Sequence, residues 1–180
     1  MIGLKKGELM ICDHNTEWEI YASSIIHQLK HILGDYAVDI QHIGSTSIKN
    51  IKAKPIIDIA IGVNNFSESD IICNLLLTIG IYKSLGQPFE NILLFSKDDE
   101  KGNRLANIQV VVHGKEQWNK HILFRDYMNS HADKAKEYEN IKLKAIELFP
   151  NDVLSYSDYK SLFISDCIHQ AKIERSEVTI

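Results

Sequence analysis

The chain has 180 residues, of which 44% are hydrophobic, and a formal net charge of −4 from 20 basic and 24 acidic residues. This size and composition predict a single domain over residues 1–180 with a hydrophobic core, and the acidic excess argues against nucleic-acid binding through bulk charge. No apolar run reaches the roughly 18–20 residues of a membrane span, and no export signal follows the N-terminal lysines. Three widely spaced cysteines fit a reducing compartment. We therefore expect a cytoplasmic protein without a membrane partner.

Helices and strands alternate in the predicted first two thirds of the chain. Thr16-Glu17-Trp18-Glu19 has the pattern of a capping box and predicts a helix that ends at Gly34. Ser67 is predicted to cap a second helix, which runs to Gly80. Period-two alternation and β-branched runs predict strands over residues 37–43, 56–63, 81–85, 92–97 and 105–112.

The last third of the chain is predicted to be helical. Helical periodicity predicts helices near residues 115–129, 130–149 and 155–172. Ser130 and Ser155 open the last two with a capping pattern, and the tail after Arg175 is expected to fray. Together with the strands, this order predicts an α/β (α+β) fold in which helices pack against a mixed β-sheet and the C-terminal third is helical.

Asp58 is the one charged residue in the predicted strand over residues 56–63. An ionised carboxylate is costly to bury unless it is paired or binds a metal. In a strand, Ile56, Asp58 and Ala60 share a face, and the isoleucines between them point the other way. Two interpretations follow: a catalytic or metal-binding carboxylate at a strand end, or a structural carboxylate that accepts backbone N–H bonds.

The turn Gly44-Ser45-Thr46-Ser47 directly follows a predicted strand. Glycine lets a ligand approach the backbone, and hydroxyl side chains with free N–H groups suit a phosphate. The alternative is an ordinary turn whose serine caps a helix. A strand, a Gly-Ser turn and a second strand that carries an aspartate form the layout of the nucleotidyltransferase superfamily, in which carboxylates on the second strand hold divalent metal ions.

Several segments of the chain resemble the GrpB family, which is assigned to the nucleotidyltransferase superfamily and is related to a domain fused behind some bacterial dephospho-CoA kinases. The resemblance covers about residues 10–172. It is carried by His42-Ile43-Gly44-Ser45-Thr46-Ser47, Ala53-Lys54-Pro55-Ile56-Ile57-Asp58-Ile59, Asp13-His14-Asn15-Thr16-Glu17-Trp18, His121-Ile122-Leu123-Phe124-Arg125-Asp126-Tyr127-Met128, Tyr138, Lys142 and the 156–163 stretch.

The resemblance implies a pocket for a nucleotide or another phosphate-bearing small molecule. Gly44, Ser45 and Thr46 would donate to phosphate, and Asp58 would position Mg²⁺ as the catalytic carboxylate. Lys54 and Arg104 would offset the anionic charge, although a surface lysine and a solvated turn arginine are the plain alternatives.

The chain departs from the superfamily pattern at the positions of two further carboxylates. Ala60 stands two residues after Asp58, and Asn107-Ile108-Gln109-Val110 occupies the later strand. Asn107 and Gln109 can orient a ligand through hydrogen bonds, but neither is an anion that binds Mg²⁺ strongly. The sequence therefore leaves open whether one carboxylate supports catalysis.

Two more residues near the predicted pocket have alternative roles. His42 is either a hydrogen-bonded core histidine or a catalytic base. Arg125 either clamps an anionic substrate or braces the helices against the sheet, and it is expected to point away from its neighbour Asp126.

Three hypotheses for function follow from these residues. The first is a GrpB-like protein that binds a nucleotide or phosphate compound and transfers a nucleotidyl group with Mg²⁺. The second is a non-catalytic nucleotide-binding or folding-accessory module, which Ala60 and Gln109 favour. The third is a different transferase that uses Asp58 as a base.

Overall fold

A computed structural model describes residues 1–84 and 91–177. Its helices are α1 (Glu17–Leu33), α2 (Ser69–Thr78), α3 (Glu116–Ser130), α4 (Ala132–Leu148), α5 (Val153–Tyr159) and α6 (Ser161–Glu177). Its strands are β1 (Asp39–Ile43), β2 (Ile57–Val63), β3 (Ile81–Lys83), β4 (Ile92–Asp98) and β5 (Arg104–Val112). The predicted strand over residues 81–85 ends at Lys83, and Leu85 lies outside the described residues.

The strands form one mixed sheet in the order β1-β2-β5-β4-β3 across the described part of the chain. β2 lies between β1 and β5: it runs parallel to β5, whereas it pairs with β1 in the antiparallel sense. The register aligns Asp58 with Ile43 on one side and with Asn107 on the other. Residues in register across neighbouring strands share a face, so the end of β1 and the Asn107 side chain both lie beside Asp58.

Alternation along β2 divides the helices between the two faces of the sheet. Ile57, Ile59 and Ile61 are fully buried against α1 and α2, whose core residues include Trp18 and Leu76. Asp58 and Ala60 face the opposite side, where Ala60 packs in a cluster with Trp118 of α3. The polar face of β2 is therefore covered by the C-terminal helices.

A second hydrophobic cluster holds the C-terminal helices together and fastens them to the segment that follows the Gly-Ser turn. Its buried members are Ile48, Ile51, Phe124, Tyr127, Met128, Ala135, Tyr138, Cys167 and Ala171. Because Ile48 and Ile51 lie between β1 and β2, burial of this cluster closes the helical layer over the end of the sheet that carries Asp58.

The predicted capping residues were wrong at the starts of α1, α2 and α4, and also at the start of α5. Thr16 makes no side-chain cap; Asn15 Oδ1 instead accepts from the N–H of Glu17 at 2.9 Å. α2 begins at Ser69 rather than directly after Ser67. Ser130 belongs to the end of α3, where its hydroxyl donates to backbone carbonyls of that helix. Several polar residues compete at each of these starts, and the chain path selects among them.

The predicted helix over residues 155–172 is two helices, α5 and α6, which meet at Lys160. Asp152 is the N-cap of α5, and its Oδ1 accepts from the N–H groups of Leu154 and Ser155 at 3.0 and 3.1 Å. α6 continues through Glu177, so the prediction that the chain frays directly after Arg175 was wrong. Residues 178–180 lie outside the described chain. Among the helices within residues 1–84 and 91–177, none combines the length and the apolar composition of a membrane span.

Candidate functional site

Gly44 packs directly against Asp58. Gly44 has φ +71° and ψ −170°, a backbone conformation open to glycine and strained for other residues. A Cβ atom placed on Gly44 would lie 2.8 Å from the Cβ atom of Asp58, closer than such atoms approach in proteins. The turn after β1 and the aspartate of β2 therefore meet at one point, and only glycine fits between them.

Asp58 is held by a chain of polar contacts along the sheet. Its Oδ1 accepts from the side-chain amide of Asn107 at 3.0 Å. The Oδ1 of Asn107 in turn accepts from Arg104 at 3.0 Å, and Arg104 forms an ion pair with Asp98 at 2.6 Å. Arg104 and Asn107 thus orient the Asp58 carboxylate through its Oδ1 atom. The other oxygen, Oδ2, is the one nearest Gly44.

The carboxylate faces a cavity of about 310 Å³ between the sheet and the C-terminal helices. From the sheet side it is lined by Ile43, Gly44, Asp58 and Gln109. From the helical side it is lined by Gln117, Lys120, His121, Phe124, Tyr138, Lys160, Ile164 and Ile168. Among the residues predicted from sequence, Gly44, Asp58 and Gln109 therefore share one cavity.

The other residues of the predicted turn are tied to their neighbours. The hydroxyls of Ser45 and Tyr138 share a hydrogen bond of 3.2 Å at the cavity wall. Thr46 is 1% exposed, and its hydroxyl shares a hydrogen bond of 2.9 Å with His42 Nε2. Burial, with a smaller effect of the Arg125 charge, lowers the pKa of His42 to about 4, so the ring is neutral at pH 7. These contacts fit a structural role for His42 and Thr46.

Arg125 joins α3 to the end of β1. Its Nη1 donates to the side chain of Gln41 at 2.8 Å and to the backbone carbonyl of His42 at 3.1 Å. The expectation that Arg125 points away from Asp126 was wrong, because Arg125 Nε contacts Asp126 Oδ1 at 2.8 Å. The contacts to Gln41 and His42 brace the helix on the sheet, and Arg125 is not among the cavity-lining residues.

Two lysines act electrostatically on Asp58. Burial raises the pKa of Asp58, and the hydrogen bond from Asn107 and the charges of Lys160 and Lys54 oppose that rise. Burial lowers the pKa of Lys160 to about 8, an effect that Asp58 opposes and Lys54 reinforces. Lys160 is therefore mainly protonated at pH 7, and the carboxylate lies in a cationic surrounding.

The donor set around Asp58 does not fit a resident pair of Mg²⁺ ions. Mg²⁺ in proteins is bound chiefly by carboxylate oxygens and by phosphates of the substrate. Asp58 is the one carboxylate on this face of β2. The next residue of β2 on the same face is Ala60, and the β5 residue in register with Ala60 is Gln109. Over residues 1–84 and 91–177, no group of three or more His, Cys, Asp or Glu side chains is placed to hold a metal ion.

The structure adds cavity residues that were not predicted from the sequence. Gln117, His121 and Phe124 line the cavity from one face of α3, with the spacing i, i+4, i+7. Nε2 of His121 is buried and has no hydrogen-bond partner among the described residues, and burial lowers the pKa of His121 to about 4. The helical spacing was visible in the sequence, but nothing local showed that this face of α3 covers Asp58.

Known proteins share both the sequence pattern and the fold. The sequence profile described as GrpB protein matches residues 8–170. Glutamate-rich protein GrpB of Alkalihalophilus pseudofirmus is 35% identical, over 94% of this chain and 99% of its own length. The crystal structure of conserved protein GrpB from Enterococcus faecalis superposes with a TM-score of 0.82 at 23% identity, over 92% of this chain and 99% of that one.

More distant similarities extend the comparison to nucleotidyltransferases. The Mg 3'-dATP-bound structure of Cid1 poly(U) polymerase has a TM-score of 0.53 at 15% identity, over 83% of this chain and 49% of that one, which shows a shared fold. A dephospho-CoA kinase of Mycolicibacterium paratuberculosis is 24% identical over 93% of this chain, which covers 47% of the kinase. The predicted α+β, nucleotidyltransferase-like fold is confirmed, and the chain belongs to the GrpB family.

Proposed function

We propose that the cavity beside Asp58 binds a nucleotide or another phosphate-bearing small molecule. The observation that carries this proposal is the meeting of the Gly44 turn, the Asp58 carboxylate and the Lys160 ammonium group in one cavity. The backbone at Gly44 is bare toward the cavity, and no protein acceptor among the described residues takes the N–H groups of Ser45 and Thr46. Bare backbone donors next to a cation suit a phosphate group.

The size of the cavity agrees with a small ligand. Its volume of about 310 Å³ lies at the lower end of the roughly 300–1,000 Å³ common for small-molecule sites. Gln109, Gln117 and His121 place neutral polar groups along the walls, and Phe124 adds an aromatic surface. One part of the ligand would therefore be anionic and another part uncharged and polar, as in a nucleotide.

Transfer of a nucleotidyl group is the second candidate function. Oδ2 of Asp58 remains available beside Gly44, and it can bind one Mg²⁺ ion that the phosphates of a nucleotide already hold. Such an ion would stabilise the charge that develops on the transferring phosphate. Ala60 and Gln109 support instead a non-catalytic nucleotide-binding or folding-accessory module, because they leave Asp58 without a second carboxylate.

Thermal denaturation with ATP, CTP, GTP and UTP, each with Mg²⁺ and with EDTA, tests these proposals. At a ligand concentration of 100 times Kd, binding adds about 2.7 kcal/mol to the free energy of unfolding, which raises the Tm by roughly 5–10 °C for a chain of this size. If no nucleotide raises the Tm under either condition, the proposed binding function is wrong. A shift that needs Mg²⁺ and disappears in Asp58→Asn supports transfer, and a shift of equal size in EDTA supports binding alone.

His121→Leu separates a ligand contact from a structural histidine. The Nε2 atom is buried and has no hydrogen-bond partner within residues 1–84 and 91–177, so leucine is expected to leave the Tm unchanged or to raise it slightly. The affinity for the nucleotide that stabilises the wild type is expected to fall about 3- to 10-fold, the equivalent of one hydrogen bond. A Tm that drops by several degrees with unchanged affinity contradicts this role; His121→Gln, which keeps a polar group, is the matched variant.

A further inference from the structure

Among the residues that the structure describes, the two lysines near Asp58 have no direct carboxylate partner. Lys160 lies between α5 and α6 and lines the cavity, whereas Lys54 precedes β2. Both ammonium groups lie over the ring of Tyr156, at 4.5 Å for Lys160 and 5.7 Å for Lys54. In the described part of the chain, neither lysine takes part in a salt bridge.

The charge balance at this end of the cavity favours an anion over a cation. Two ammonium groups and one carboxylate leave a surplus of one positive charge. Lys120, the other lysine that lines the cavity besides Lys160, is paired with Glu116 at 2.8 Å and adds little to that surplus. A partly buried surplus charge is weakly screened by solvent, so it attracts a phosphate and opposes a divalent cation.

Lys160 is held in place by the fold and does not reach in from solvent. It follows the last residue of α5, where Tyr156 is buried beneath its ammonium group. Stacking on an aromatic face stabilises an ammonium group while its N–H donors remain free for a ligand. The ammonium group is thus held over Tyr156 at the wall of the cavity that Gly44 also lines.

We propose that Lys160, assisted by Lys54, supplies the positive charge that Mg²⁺ supplies in sites with several carboxylates. This inference rests on the proposed binding function. The ligand class that follows is a compound with a terminal phosphate, bound without a divalent cation. Asp58 then holds the lysines in their charged state and contacts the ligand as a hydrogen-bond acceptor, and its negative charge weakens phosphate binding.

Calorimetric titration tests this assignment with AMP, CMP, GMP, UMP and the four triphosphates, in EDTA and in excess Mg²⁺, at pH 6.5 to keep Lys160 protonated. We expect at least one nucleotide to bind in EDTA within about threefold of its affinity in Mg²⁺. Lys160→Met is expected to lose about 30-fold or more, and Lys160→Arg to retain most of the affinity. Asp58→Asn is expected to bind about 3- to 30-fold more tightly, because a like charge is removed.

Each outcome has a distinct meaning. Binding that requires Mg²⁺ and is abolished by Asp58→Asn overturns the lysine assignment and leaves the proposed nucleotide site standing. Equal affinities of the wild type and Lys160→Met also overturn it, provided that circular dichroism shows both proteins folded. Absence of nucleotide binding to the wild type in both buffers overturns the proposed function together with this inference. Lys144→Met, an exposed change on α4, controls for nonspecific loss of charge.

Discussion

Gly44→Ala is expected to lower the free energy of unfolding by about 2–5 kcal/mol and to abolish ligand binding at the cavity. Two costs add at this position. The backbone at φ +71° and ψ −170° is strained for alanine, and the new methyl group would meet the Asp58 side chain close to its backbone, where little movement is possible. Chemical denaturation and nucleotide titration of the variant measure the two effects.

Gly80→Ala is the matched control for this prediction. Gly80 has the same φ of +71°, but a Cβ atom placed there would meet nothing within 4 Å. Alanine at Gly80 therefore carries the cost of a positive φ, roughly 1 kcal/mol, without the clash. Gly80 lies just after α2, on the other side of the sheet. Equal losses of stability in the two variants would show that the contact between Gly44 and Asp58 is not tight in solution.

Lys142→Met is expected to stabilise the protein by about 1–4 kcal/mol at pH 6. Lys142 is 0% exposed; its ammonium group donates to the Lys52 carbonyl and lies 4.7 Å from the ring centre of Tyr138. Burial, reinforced by the charge of Lys160 and opposed by Glu139, lowers the pKa of Lys142 to about 7. Methionine of similar shape removes the buried charge at the cost of one hydrogen bond.

The pH dependence of this gain has a definite sign. The pKa of Lys142 is lower in the folded protein than its ordinary value of 10.5, so the penalty for burying the charged form is complete below pH 7 and is relieved as the pH rises toward 10.5. The difference in unfolding free energy between Lys142→Met and the wild type should thus shrink from pH 6 to pH 9.

The exposed Lys144, on the same helix, provides the control for Lys142. Lys144→Met is expected to change the free energy of unfolding by no more than about 0.5 kcal/mol at either pH. If Lys142→Met instead destabilises the protein at pH 6, the bond to the Lys52 carbonyl contributes more than the buried charge costs. In that case the lysine fastens α4 to the loop before β2.

Gly44→Ala and Lys142→Met change opposite sides of the junction between the sheet and the helical layer. Gly44 belongs to the sheet layer and Lys142 to the helical layer, and the cavity lies between the layers. A gain in stability from Lys142→Met with unchanged nucleotide affinity would separate the cost of the buried charge from the ligand site. The charge at the ligand site is then assigned to Lys160 and Lys54 alone.

The sheet and most helices follow from local patterns in the sequence. Alternation in residues 56–63 places Asp58 and Ala60 on one face, and the structure has this division. Helix starts were less predictable, because a capping side chain competes with its polar neighbours for the same N–H groups. Asn15 caps where Thr16 was predicted, and Asp152 where Ser155 was predicted.

The sequence by itself determined that a glycine turn precedes a strand with one aspartate, because both signals are local and depend on the few residues around them. Only the tertiary structure decided what faces that aspartate. His121 and Tyr138 come from α3 and α4, and Lys160 comes from the junction of α5 and α6, all far along the chain, and nothing local in the sequence places them beside Asp58. Packing of the helical layer onto the sheet brings them to the cavity, since burial of the apolar faces sets the position of each helix and therefore of its polar side chains.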